Sequence, residues 1–161
     1  MENEYKKNKR MNQYAEAEEY YKLIKIFLLL KDYQKMNESL VTSTKLYLEL
    51  LSDDLIENAN IYEKIARNYR WKKEYDEALR YYKLQSICYG KIEDIHDLGV
   101  KRKKATVFYH IGLMYSYLGN DELKIMAYRK SQTIREQIYQ ETNDDEDLEE
   151  LVDIRLCLSE S

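Results

Sequence analysis

Apolar positions recur along this chain at spacings of three and four. Leu23, Ile24 and Phe27 open a pattern of two apolar or small residues, two spacers and an aromatic. It returns as Ile65, Ala66 and Tyr69, 42 residues on, and as Ile111, Gly112 and Tyr115, a further 46 residues on. Such spacing puts each triplet on one face of a helix. A second stripe follows each triplet: Tyr33, Met36, Leu40 and Ser43, then Tyr75, Ala78 and Tyr82, then Tyr128 and Ser131. The pattern predicts two helices per unit, with a small residue (Ala66, Gly112) letting the second helix approach the first. Turns fall at LKDYQ, KKEYDEA and YLGNDE, with Asp32, Asp76 and Asn120 or Asp121 as caps for the second helices. Helices are predicted at about 2–30, 32–51, 54–72, 75–96, 100–118, 121–141 and 145–159. Leu98-Gly99 reads as a helix C-terminal stop, because glycine tolerates the left-handed conformation there. The last helix, carrying Leu148, Leu151, Val152 and Leu158, reads as a cap over the open end of a stack.

Composition points the same way. The chain has no proline and four glycines, whereas an all-β domain leans on both residues for its turns. With 44% apolar and 35% charged residues it is globular rather than disordered. Its 161 residues fit one domain, 1–161, with repeats at about 12–51, 54–96 and 100–141 and a capping helix at 145–159. Tyrosine is abundant, 17 against two phenylalanines and one tryptophan, and suits half-buried sites with its apolar body and polar tip.

YEKIARNYRWKKEYDEALRYYK and YHIGLMYSYLGNDELKIMAYRKS resemble tetratricopeptide repeats at Ile65-Ala66, Ile111-Gly112, Tyr69, Tyr115, Leu118, Gly119, Ala78, Tyr82 and Tyr128. The repeat of that family is about 34 residues, so these units are long. They are similar to the long-helix variants of kinesin light chain and the spindle-orientation adaptors. The resemblance covers about Asn12 to Tyr139 and implies an all-α, right-handed superhelical stack of about three antiparallel helix pairs plus the capping helix. Lys124 and Gln85 stand where the family prefers small residues, which predicts a looser third pair.

Little in the sequence suggests chemistry. His96 and His110 lie 14 residues apart without metal-ligand spacing. Glu93-Asp94-Ile95-His96-Asp97 is the one acid–histidine run, and it reads better as a polar helix end than as a metal site. Cys88 and Cys157 lack a CxxC partner and read as small apolar residues in a reducing compartment. No nucleophile elbow, Walker or dinucleotide motif is present, so no catalytic residue, metal or cofactor is expected. The net charge of −4 argues against a nucleic-acid binder. The basic run Lys101–Lys104 resembles an import or phosphate-binding patch but reads better as a solvated helix start. The acidic run Asp144–Glu150 likewise suits a solvated helix N-terminus. The longest apolar stretch, Ile26–Leu30, is far too short to span a membrane. The expectation is a soluble cytoplasmic protein, with the nucleus as the other compartment.

In the resembled family the first helix of each pair lines the concave face. Offsetting from the core stripe puts Tyr21, Lys22 and Lys25 on that face in the first repeat. Asn60, Glu63, Lys64, Arg67, Arg70 and Trp71 follow in the second, and Thr106, Tyr109, His110, Leu113 and Tyr117 in the third. This face is basic and aromatic although the whole chain is acidic. Arginine and tryptophan are enriched at binding hot spots, and arginine grips carboxylates in two-pronged fashion. The expected partner is therefore another protein, presenting an acidic and apolar peptide segment or helix, and the expected role is adaptor or scaffold. The alternative is a structural subunit that self-associates. Some family members hold a C-terminal carboxylate with lysines and asparagines. Here Lys25 is present, but Tyr21, Glu63 and Tyr109 occupy sites where lysine would help, which disfavours that mode.

Overall fold

The computed structural model describes residues 1–92 and 96–161 and is entirely helical across them. Its elements are α1 (Glu2–Leu29), α2 (Tyr33–Glu49), α3 (Leu55–Trp71), α4 (Tyr75–Gly90), α5 (Leu98–Tyr117), α6 (Asp121–Thr142) and α7 (Asp145–Ser159). The chain divides into two compact units, Met1–Tyr81 and Tyr82–Ser161.

The two-helix unit predicted from the apolar pattern is present, and its turns repeat in atomic detail. Lys31, Lys73 and Gly119 are left-handed, with φ of 58°, 63° and 76°. They are spaced at the same 42 and 46 residues as the sequence pattern. Each donates its N–H three residues back, to Leu28, Arg70 and Ser116, at 3.0–3.1 Å. The next residues, Asp32, Glu74 and Asn120, donate five residues back to Phe27, Tyr69 and Tyr115, at 2.9–3.0 Å. This pair of bonds is the Schellman motif, which satisfies carbonyls left over at a helix end. Asp32 and Asn120 then reverse role and cap the next helix, accepting from the backbone N–H of Lys35 and Leu123 at 3.2 and 3.1 Å. Asp76 does not cap, because α4 starts one residue earlier and takes Asp76 into its first turn.

In the 1–81 unit, α1 and α2 are antiparallel. Ser43 Oγ donates to the Ala17 carbonyl at 3.1 Å and Gln13 reaches Glu49 at 2.9 Å. Helix α3, capped by Asp54 through Ile56 and Glu57 N–H, returns antiparallel to α2 and therefore parallel to α1. Asn68 Nδ2 donates to Ser43 Oγ at 3.0 Å deep in this interface. Arg10–Glu57, Glu18–Lys64 and Tyr21–Trp71 run as rungs between α1 and α3. The start of α4 is held by Tyr81, whose ring stacks on Tyr69 at 5.6 Å.

In the 82–161 unit the same arrangement recurs. Ser131 Oγ donates to the Ala105 carbonyl at 2.8 Å across α5 and α6, with the same sequence separation as Ser43 and Ala17. A Cβ at Gly112 would collide with the Tyr128 ring. The glycine thus lets the aromatic of α6 lie directly on α5. The side chain of Lys124 is itself mostly covered, its amine 2.9 Å from Asp121. Helix α7 packs antiparallel on α6 and parallel to α5 as the predicted cap, burying Leu151 and Ile154 against Tyr128.

Three sequence expectations are corrected. Gly99 does not stop α4, which ends at Gly90; it sits in the first turn of α5, where Asp97 caps the N–H of Val100 at 3.0 Å. The charge runs are not simply solvated. Arg102 donates two bonds of 2.8 Å to the two oxygens of buried Asp147, and Lys101 reaches Glu141 at 2.8 Å. A bidentate pair of this kind is the strong form of an ion pair. Finally, several tyrosines are buried outright: Tyr47, Tyr82 and Tyr89 are inaccessible, and Tyr21, Tyr81 and Tyr128 nearly so. Burying a phenol is tolerable where its hydroxyl finds a partner, as Tyr47 does on Glu18 and Tyr21 on Trp71.

Candidate functional site

The first-helix face of the 1–81 unit gathers residues that lie up to 50 positions apart. Tyr21 on α1 is nearly buried, and its hydroxyl accepts a hydrogen bond of 3.2 Å from Trp71 Nε1 at the end of α3. Lys25, one turn on from Tyr21, holds its amine 5.3 Å from the Tyr21 ring centre and 5.2 Å from that of Trp71. Arg67, one turn before Trp71, places its guanidinium 5.3 Å from the Tyr21 ring. Two cations thus sit against one phenol, and one of them also against the indole. Attraction of this kind is worth roughly 0.5–1 kcal/mol per contact at exposed sites.

The helices fix this geometry for local reasons. Tyr21 and Lys25 are four apart on α1, and Arg67 and Trp71 four apart on α3, so each pair shares a helix face. The inner side of the Trp71 ring packs on the cluster of Ile24, Met36 and Leu40, together with Phe27 and Tyr69. Trp71 thus packs on that core and also lies within reach of Lys25.

The remaining first-unit residues divide by their partners. Lys64 is neutralised by Glu18 at 2.9 Å, and Lys22 by Glu19 on the exposed side at 2.9 Å. Arg67 is only loosely paired, 3.9 Å from Glu63. Among the described residues neither Lys25 nor Arg70 has an ion-pair partner, and both are half-buried. Asn60 lies half-buried on α3. In the other unit, Tyr109 stacks on Tyr128 at 5.8 Å and packs under the capping helix. His110 lies 4.9 Å from the Tyr82 ring, while Tyr117 is 56% exposed.

Sequence reasoning missed Glu18. It joins Tyr47 and Lys64, hence α2 and α3, through a single carboxylate. Burial works to raise the Glu18 carboxyl, but the hydrogen bonds from Tyr47 and Lys64 and the charge of Arg67 outweigh it and hold the group below its usual value. Burial, followed by the bond to Glu18, pushes the Tyr47 phenol far above its own. Glu18 thus removes Lys64 from the free basic charge of the face. The signal available was weak: an acid three residues before Tyr21 on the same helix.

Among the described residues no group of three or more His, Cys, Asp or Glu is arranged to hold a metal ion. Of the Glu93–Asp97 run, residues 93–95 lie outside the described residues, and Asp97 is the cap of α5. Both cysteines are free thiols, and burial pushes each thiol above its usual range. Among the described residues no helix is long and apolar enough to cross a membrane.

No family model matches the chain, and no curated protein matches it either. Among solved structures, the N-terminal domain of stress-induced protein-1 (STI-1) from C. elegans is similar at 15% identity, with 89% of this chain and 97% of that chain covered and a TM-score of 0.47. The helix pairs themselves, their Schellman turns and their parallel first helices make the fold tetratricopeptide-like.

Proposed function

We propose that this chain is a protein-interaction module that holds an acidic and apolar peptide segment or helix against α1 and α3, acting as an adaptor or scaffold. The observation that carries this reading is the cluster of Tyr21, Lys25, Arg67 and Trp71, with Lys25 lacking an ion-pair partner among the described residues. A carboxylate arriving at Lys25 or Arg67 displaces weak cation–aromatic contacts rather than a strong ion pair. It also meets cations whose desolvation has already begun, because both are half-buried. The rings beside them supply surface for an apolar neighbour on the ligand. Tryptophan, tyrosine and arginine are the residue types that dominate measured binding hot spots. Arg70 extends the basic character one turn beyond Arg67. No step of chemistry is part of this function.

The test uses the single tryptophan. Acidic–apolar peptides from the source proteome are arrayed against wild-type protein and the Arg67→Glu/Arg70→Glu variant, and each hit is followed in solution by Trp71 emission. The expected result is saturable binding to the wild type, a change in Trp71 emission, and at least about tenfold weaker binding by the variant, the equivalent of roughly 1.4 kcal/mol. Far-UV circular dichroism establishes that the variant is folded. Equal binding by both proteins overturns the proposal.

A further inference from the structure

The two ends of the chain carry complementary surfaces. Helix α7 buries one face through Asp147, Leu151 and Ile154. Another face shows Leu148, Val152 and Leu156 at four-residue spacing, the last two 44% and 54% exposed. Beside that apolar stripe run Glu149, Asp153 and Glu160, all exposed and without an ion-pair partner among the described residues. The outer face of α7 is therefore apolar along one stripe and acidic beside it.

At the other end, α1 runs beyond the last residue of α2 that touches it. Arg10 is the last residue tied to the end of α2, donating to the Leu50 carbonyl, and residues 1–9 are exposed. That overhang is basic: Lys6, Lys7, Lys9 and Arg10 fall within five positions. Lys6 is paired with Glu2 and Arg10 with Glu57, which leaves Lys7 and Lys9 without an ion-pair partner among the described residues. Beside it lies a cleft of ≈ 290 Å³, walled by Met11, Tyr14, Ala15 and Leu50 and rimmed by Lys7 and by the Arg10–Glu57 pair. Its lining is mainly apolar, and Met11 is 60% exposed.

We infer that the chain self-associates head to tail, the α7 stripe of one copy entering the Met11–Tyr14–Leu50 cleft of a second copy, with Glu149 and Asp153 facing Lys7 on its rim. The partner is a second copy because each surface supplies what the other lacks: an apolar ridge with unpaired acids, and an apolar cleft with the unpaired Lys7 on its rim. Because the two surfaces differ, the contact is heterologous and generates a chain or ring of copies rather than a closed two-fold pair. The charges steer the encounter and make it salt-sensitive, while Val152 and Leu156 supply the buried apolar area.

Sedimentation velocity of the full chain across a concentration series, at low and high ionic strength, tests this. The weight-average mass is expected to rise with concentration and to fall with salt. Val152→Glu/Leu156→Glu and Lys7→Glu/Met11→Glu are each expected to weaken association about tenfold or more. All four side chains are exposed, so the helical circular dichroism of both variants should match wild type. An equimolar mixture of the two variants keeps one intact ridge and one intact cleft, and it should stop at a two-chain complex. A wild type that stays monomeric at every concentration overturns the inference. So does association that survives in both variants, or a mixture that does not form the two-chain complex.

Discussion

Gly112→Ala isolates the contact on which the α5–α6 pair depends. A Cβ at this position would fall well inside van der Waals distance of Tyr128 Cδ1 and Cε1 and 3.2 Å from Cγ, where ordinary contact begins at 3.4 Å. The ring cannot simply swing aside. It is buried, stacked on Tyr109 at 5.8 Å on one side and covered by Leu151 and Ile154 of α7. The two helices must therefore separate or the ring must leave its rotamer, and overpacking of this kind costs about 1–3 kcal/mol. Against it stands the gain of placing alanine rather than glycine inside a helix, about 0.5–1 kcal/mol. The net expectation is a loss of about 1–2 kcal/mol, read as a lower urea midpoint by circular dichroism with unchanged slope. The melting temperature should fall by roughly 2–8 °C, at about 2–4 °C per kcal/mol for a chain of this size. Tyr128→Ala costs stability by itself, but in the double variant the added methyl has no ring to meet, so the loss from Gly112→Ala should vanish or reverse. A Gly112→Ala protein at least as stable as wild type would refute the account, because only helix propensity would then be at work.

Other substitutions probe separate parts of the fold. Lys31→Gly and Lys73→Gly remove a side chain from a left-handed residue; the penalty relieved, about 1–2 kcal/mol, is partly offset by greater freedom of the unfolded chain. Each should raise stability by about 0.5–1 kcal/mol, and a fall in either melting temperature would contradict the Schellman assignment. Ser131→Ala deletes the donor to the Ala105 carbonyl and the acceptor of Arg135 Nε, so a loss of about 1–3 kcal/mol is expected in chemical denaturation. The Arg102 hydrogen bonds hold the Asp147 carboxyl below the usual aspartate range. A depressed carboxyl adds stability that is fully present above the unfolded value and is lost as pH falls through the folded one. Wild type should therefore weaken as pH drops below about 4, and Asp147→Asn should flatten that limb; identical acid profiles would remove Asp147 from the explanation.

The periodic features of the molecule were legible in the chain because they are local. Apolar spacing of three and four sets the helix faces, and the recurrence at 42 and 46 residues sets the unit. Asp32 and Asn120 announce helix starts through a bond that spans three residues. Gly112 could be singled out because a helix interior has little other use for glycine. What failed locally failed by competition. Gly99 resembled a stop, but Asp97 supplied a cap two residues earlier and began a new helix through it.

Partnership between charges was decided by the tertiary structure alone. Nothing in the sequence tells that Lys64 is spent on Glu18 while Lys25 faces two aromatic rings, or that Arg102 out of a basic run closes on Asp147 out of an acidic one. Glu18 and Lys64 lie 46 residues apart and Arg102 and Asp147 45, joined because α1 and α3 run side by side and parallel in one unit, and α5 and α7 in the other. Helix formation is governed by neighbours within a turn or two, and one chain contains that information openly. The charge left available to a partner is a difference between cations and the acids that reach them, and reach depends on how whole helices are set against each other.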